Sequence, residues 1–174
     1  MKFELDRATE ILYRTPVILK EWLVGLDPGW IHHNYGEDTF SPFDVIGHLV
    51  QGEISDWMTR VELILDQSES GPFPAWDRYA MFQESDGKTI EELLNEFTNL
   101  RRRNLELLFN KRITENELNM YGTHPSLGKV TLRQLLATWV AHDLNHIHQI
   151  AKCMAWQYRN EIGPWRQFIT FMDR

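Results

Sequence analysis

The 174-residue sequence is long enough for one well-buried domain and short for two, so a single domain spanning 1–174 is expected. With 43% hydrophobic and 25% charged residues it excludes wholesale disorder, and a formal net charge of -7 argues against nucleic acid, whose binding is driven by cationic groups that displace condensed counterions. The lone Cys153 excludes an intramolecular disulfide, and the absence of a signal-peptide pattern or a run of about 18 apolar residues predicts a cytoplasmic protein with no membrane association.

Four helical patterns follow one another along the chain, and no strand alternation competes with them, so the fold is expected to be all-α. The first covers Asp6–Leu26, where Ala8, Ile11, Leu12, Ile18, Leu19, Trp22, Leu23 and Leu26 recur at helical spacing. Pro16 lacks an N–H for the helical ladder and predicts a kink or a fresh start there. The second pattern opens with Ser41 as N-cap, Pro42 in the first turn and Asp44 in the positive end of the helix, and runs to about Leu65. Its richest apolar arc is Phe43, Ile46, Val50, Ile54, Trp57 and Val61.

A Gly-, Pro- and Ser-rich segment of about twenty residues, "QSESGPFPAWDRYAMFQESDGK", then intervenes. That is too long for a tight helix–helix turn, and a crossover of this length would make the second and third helices parallel. The third pattern is capped by Thr89, carries Glu91 and Glu92 in its first turn, and ends near Asn110. Arg101–Arg103 point in three different directions on such a helix, which predicts solvated charges rather than a basic stripe. The fourth runs from Thr131 to about Gln157, and a final segment, "PWRQFITFM", is helix-compatible.

The fourth helix holds three histidines in "TWVAHDLNHIHQI". At about 100° per residue, His142 and His146 project from one face, where they can serve a single metal ion or act as two buried histidines bonded to carbonyls or water. His148 falls on the opposite side and is expected to be exposed. A helical pair leaves the coordination sphere incomplete, so a third donor is needed on another helix. His48 is the best candidate, flanked by the small Gly47 and Gly52, although it lies outside the apolar arc of its helix. His32, His33 and His124 fall in predicted loops.

These residues carry a resemblance. "FSPFDVIGHLVQGE", followed about ninety residues later by "GKVTLRQLLATWVAHDLNHIHQI" and preceded by "TPVILKEWLVGL", resembles the DinB/YfiT-like superfamily of small bacterial helical proteins. One departure is Phe40 before Ser41-Pro42, where members often carry tryptophan. The resemblance implies an up-down-down-up four-helix bundle with a long connection between helices two and three, and a divalent metal held by His48, His142 and His146. It also implies a homodimer acting on a small-molecule substrate; imidazole donors suit zinc or nickel as the ion.

Three neutral imidazoles leave the charge of such an ion uncompensated, which suits it to stabilising a thiolate or lowering the pKa of water. By similarity to characterised relatives, the expected function is a metal-dependent transferase that activates a low-molecular-weight thiol for attack on an electrophile in detoxification or stress response. The alternative is a non-catalytic dimeric metal-binding or structural module. Asp143 is expected to orient a ligand imidazole or to pair with Arg101, which also intrudes on an apolar stripe. Glu53 is expected near the site or as a partner for Arg60. Cys153 reads as a small packed residue, and Trp57, Trp76, Trp139 and Trp156 as core residues that could wall a cleft.

Overall fold

In a computed structural model, which describes residues 1–66, 71–77 and 79–170, the chain is built from α1 (Leu5–Leu23), α2 (Pro28–His32), α3 (Pro42–Ser55), α4 (Trp57–Asp66), α5 (Ala80–Glu84), α6 (Ile90–Asn110), α7 (Glu115–Asn119), β1 (Tyr121–His124), β2 (Gly128–Thr131) and α8 (Leu132–Gln157). A 3-10 turn at Gly163–Phe168 follows where a final helix was expected. Residues 67–70 and 78 of the long connection and 171–172 of "PWRQFITFM" lie outside the described residues.

Local chemistry sets the starts of the long helices. Ser41, Thr89 and Thr131 each accept from the backbone N–H three residues on, and Asp44, Glu92 and Gln134 each reach back to the cap backbone. These reciprocal boxes satisfy two otherwise orphaned donors at each end.

Packing then fixes the directions. Val45, Ile46, Leu49 and Val50 share one core with Ile90, Leu93, Leu94 and Phe97, whereas Trp57, Met58, Val61 and Ile64 share a second with Leu108. The α3–α4 pair and α6 therefore run parallel. Leu19 and Leu23 join the first core and Leu12 the second, while α8 contributes Trp139 to the second and Ile150 to the first. Both α1 and α8 thus run against the central pair, giving the up-down-down-up bundle.

Three departures from the sequence reading have identifiable causes. The second helical pattern is not continuous: α3 ends at Ser55 and α4 begins at Trp57. Ser55 Oγ bonds back to the Gln51 carbonyl, a contact that bends helices, and Asp56 sits between the two segments with φ -111° and ψ -69°. Ile54, predicted for the apolar arc, is 49% exposed. Pro16 breaks nothing, and α1 passes through it without interruption.

The third departure is the antiparallel hairpin of β1 and β2, which pairs Tyr121 with Thr131 and His124 with Gly128. Four-residue strands with largely exposed side chains carry too little alternation to be recognised. The hairpin anchors the crossover: Phe73 donates its N–H to the Thr123 carbonyl at 2.8 Å, and its buried ring occupies the space where a side chain on Gly122 would stand.

Candidate metal centre

Antiparallel packing of α3 against α8 brings three imidazoles together. His48 Nε2 and His146 Nε2 each stand 3.1 Å from His142 Nε2, and the ligating atoms of all three lie within 4.8 Å of one another. His48 is 6% exposed despite lying off the richest apolar arc, because nearly every side of α3 is covered from Val45 to Val50. His146 is also buried and His142 half-buried.

Imidazole chemistry tests whether this cluster fits a cation. A ring nitrogen carries either one N–H or one in-plane lone pair, so hydrogen bonding satisfies only one of the two short approaches to His142 Nε2. Three nitrogens each roughly 2.0–2.1 Å from a common ion stand roughly 2.9–3.4 Å apart. The two 3.1 Å separations fall in that interval, and the third pair of ligating atoms lies within 4.8 Å. The three residues therefore fit a divalent ion held by neutral nitrogens.

Neighbouring groups prepare the rings. His146 Nδ1 lies 2.8 Å from Gln149 Oε1, which makes Nδ1 the protonated nitrogen and leaves the Nε2 lone pair facing the cluster. His142 has no such anchor, since its Nδ1 is buried without a hydrogen-bond partner among the described residues. Its ring is instead held edge-on against Trp57, with centroids 5.0 Å apart. Trp76, from the crossover, stands edge-on to His48 at 5.2 Å and donates its indole N–H to Ser55 Oγ at 3.0 Å. Phe40 lies 5.9 Å from the His48 ring.

Burial favours the neutral imidazoles needed for ligation. It pushes His142 down to about 2, helped by His146, His48 and Arg101, and it also lowers His146 against the opposing pull of Gln149 and Asp143. The stability consequence has a definite sign. Below about pH 6.5 the unfolded chain takes up a proton at His142 that the folded chain refuses, so stability falls as the pH falls. His142 alone should lower the stability of metal-free protein by about 2 kcal/mol between pH 7 and pH 5. Urea unfolding across that range should show the loss, and His142→Gln should remove this component of the slope.

The charged residues singled out in the sequence form a separate cluster behind the triad. Asp143 pairs with Arg101 and bonds no imidazole, and Glu53 also pairs with Arg101 instead of Arg60, whose carboxylate partner is Asp56 at 2.6 Å. Arg101 is thus buried, unlike the solvated charge expected of it, because both carboxylates meet it in the core. Burial raises Glu53 above the ordinary carboxylate range while Arg101 and Asn104 pull it down. Asn104 binds both the Glu53 carbonyl and Oε2, a role the sequence did not disclose.

The remaining candidates are distributed more widely. The space beside Gly47 is filled by Ser85 and Met81, and that beside Gly52 by the Trp57 indole, so neither glycine opens room for a ligand. Trp139 stacks on Trp57 and donates to Glu53 Oε1, whereas Trp156 packs against Tyr35. Cys153 is buried, donates to the His33 carbonyl at 3.0 Å, and is pushed up to about 11 by burial. His148 is exposed; His32 ends α2, His33 caps it and His124 ends β1. Among the described residues, no helix is long and apolar enough to cross a membrane.

Comparison with known proteins agrees with this architecture. The model of the DinB superfamily matches residues 11–150. A solved structure of YfiT from Bacillus subtilis, described as "a probable metal-dependent hydrolase with an unusual four-helix bundle topology", superposes with a TM-score of 0.72 at 23% identity, covering 87% of this chain and 86% of that one. No curated protein matches the sequence significantly.

Proposed function

The chain belongs to the DinB superfamily, and from that premise we propose that it binds one divalent ion through His48, His142 and His146 and transfers a low-molecular-weight thiol to an electrophilic small molecule. The reading is carried by the convergence of three imidazole nitrogens with 3.1 Å approaches at His142. When bound, the ion supplies Lewis acidity that favours the deprotonated form of a thiol or water beside it.

The chain's own residues do the rest. Gln149 fixes the tautomer of His146, and Trp57 and Trp76 pack at steep angles against the rings of His142 and His48. Glu53 and Asp143 are engaged by Arg101, which leaves neither bonded to an imidazole as a proton acceptor. Overall the thiol loses its proton to solvent, a sulfur–carbon bond forms, and the leaving group departs with the bonding pair.

Hydrolysis is the second reading, favoured by the description of YfiT; a non-catalytic metal-binding module is the third. A homodimer in the cytoplasm, serving detoxification or stress response, completes the proposal. The exposed Tyr13 of α1 and Phe109 of α6 border one surface groove together with Glu10, Arg14, Arg102 and Glu106, and offer aromatic contacts for that dimer.

Metal-loaded and chelator-stripped protein should be assayed with a panel of small thiols and electrophiles, and separately with esters and amides. Conjugation that requires both metal and thiol is expected. Ester or amide cleavage indifferent to thiol would transfer the assignment to hydrolysis, and no turnover by fully loaded protein would leave the binding module.

A further inference from the structure

The Arg101 cluster takes no part in the chemistry above, yet its bonds run between the same two helices that supply the triad. Every N–H of the guanidinium is used. Nε and Nη2 donate to Glu53 Oε1 at 3.1 and 2.9 Å, Nη2 and Nη1 donate to Asp143 Oδ1 and Oδ2 at 3.0 and 2.6 Å, and Nη1 donates to the Leu12 carbonyl at 2.7 Å. A planar fork with all five donors engaged has one orientation only, so its partners cannot slide independently. Arg101 is 1% exposed.

The Leu12 bond explains why α1 tolerates a proline. In an unbroken helix the Leu12 carbonyl would accept from the N–H four residues on, but that residue is Pro16, which has none. The carbonyl is therefore available, and Arg101 takes it. One side chain from α6 thus ties together α1, α3 and α8.

We propose that Arg101 is the positioning residue of the histidine triad, fixing the register of α3 against α8 and hence the separation of His48 from His142 and His146. The inference rests on the triad being a metal centre. Asp143 directly follows His142, and Glu53 lies about 7.5 Å of helical rise beyond His48, so a slip at the clamp becomes a slip at the imidazoles. Metal ligands tolerate errors of about 0.2 Å. Trp139 reinforces the same link by donating from α8 to Glu53 Oε1 at 3.2 Å. Apolar side chains of similar volume can replace a buried ion cluster without loss of stability, so the contribution of the fork is to be read at the imidazoles and not in the stability of the fold.

Arg101→Lys keeps the charge and removes the fork. Zinc and cobalt affinities should be measured by competition with a chromophoric chelator, together with the cobalt absorption spectrum and the circular dichroism of metal-free protein. Affinity is expected to weaken about 10–100-fold, with an altered cobalt spectrum, in a variant that remains helical. Should that variant not fold, Asp143→Asn, which keeps the volume and one acceptor, carries the same measurements. A folded variant with wild-type affinity and spectrum overturns the inference alone. Wild-type protein that takes up neither ion overturns the metal reading and this inference together.

Discussion

Adding zinc or nickel to metal-free protein is expected to raise its unfolding free energy by about 4 kcal/mol once the free ion reaches about 1,000 times its dissociation constant. His142→Ala is expected to abolish that gain. The reason lies in the geometry: His142 Nε2 is the nitrogen approached at 3.1 Å by both other rings, so its loss leaves His48 and His146 without their shared neighbour. Without metal the same substitution should cost little, because the ring is half-buried, its Nδ1 has no hydrogen-bond partner among the described residues, and only one of its short approaches can be a hydrogen bond. Thermal or urea unfolding of both proteins, with and without the ion, separates the two effects. A variant that keeps the full metal-dependent gain would remove His142 from the site.

Arg101→Met is expected to have a larger effect on the metal-free fold, lowering stability by about 3–5 kcal/mol at pH 7. The substitution strands Glu53 and Asp143, whose side chains are both 0% exposed, and also frees the Leu12 carbonyl that Pro16 leaves unbonded. The deficit should shrink at lower pH. Burial already raises Glu53, and without the guanidinium its folded pKa rises further above the unfolded value. A raised carboxylate pKa contributes stability that is present at low pH and lost as the pH climbs through the folded value. Replacing all three charges together, as Glu53→Gln, Arg101→Met and Asp143→Asn, should recover part of the loss, because unpaired buried amides cost less than unpaired buried charges. Urea unfolding at pH 5 and pH 7 measures each of these expectations.

What could be read from the chain tracks how local the governing physics is. The starts at Ser41 and Thr89 are legible because an N-cap and its acidic first turn are written within four consecutive residues, and the structure adds the reciprocal bond at both and at Thr131. Arg101 and Asp143 stood out as charges intruding on apolar stripes, and their pairing was among the expected outcomes. By contrast, the passage of α1 through Pro16 depends on a side chain 85 positions away, and no local rule contains it. His48 lies off the richest apolar arc of its helix, whereas packing covers α3 on nearly every side. The approach of Trp76 to His48 depends on a crossover held to a short hairpin through Phe73 and Thr123. The caps and the candidate histidines are therefore written in local sequence, whereas the groups that orient the histidines are set by the tertiary fold.

The central claim is that the imidazoles of positions 48, 142 and 146 share one cation, and elemental analysis of protein purified without chelators tests it most directly. One equivalent of a divalent transition metal per chain is expected in the wild type, falling to a small fraction in each of His48→Ala, His142→Ala and His146→Ala. Wild-type protein that stays metal-free even after equilibration with zinc and nickel, or triad variants that retain a full equivalent, would contradict it.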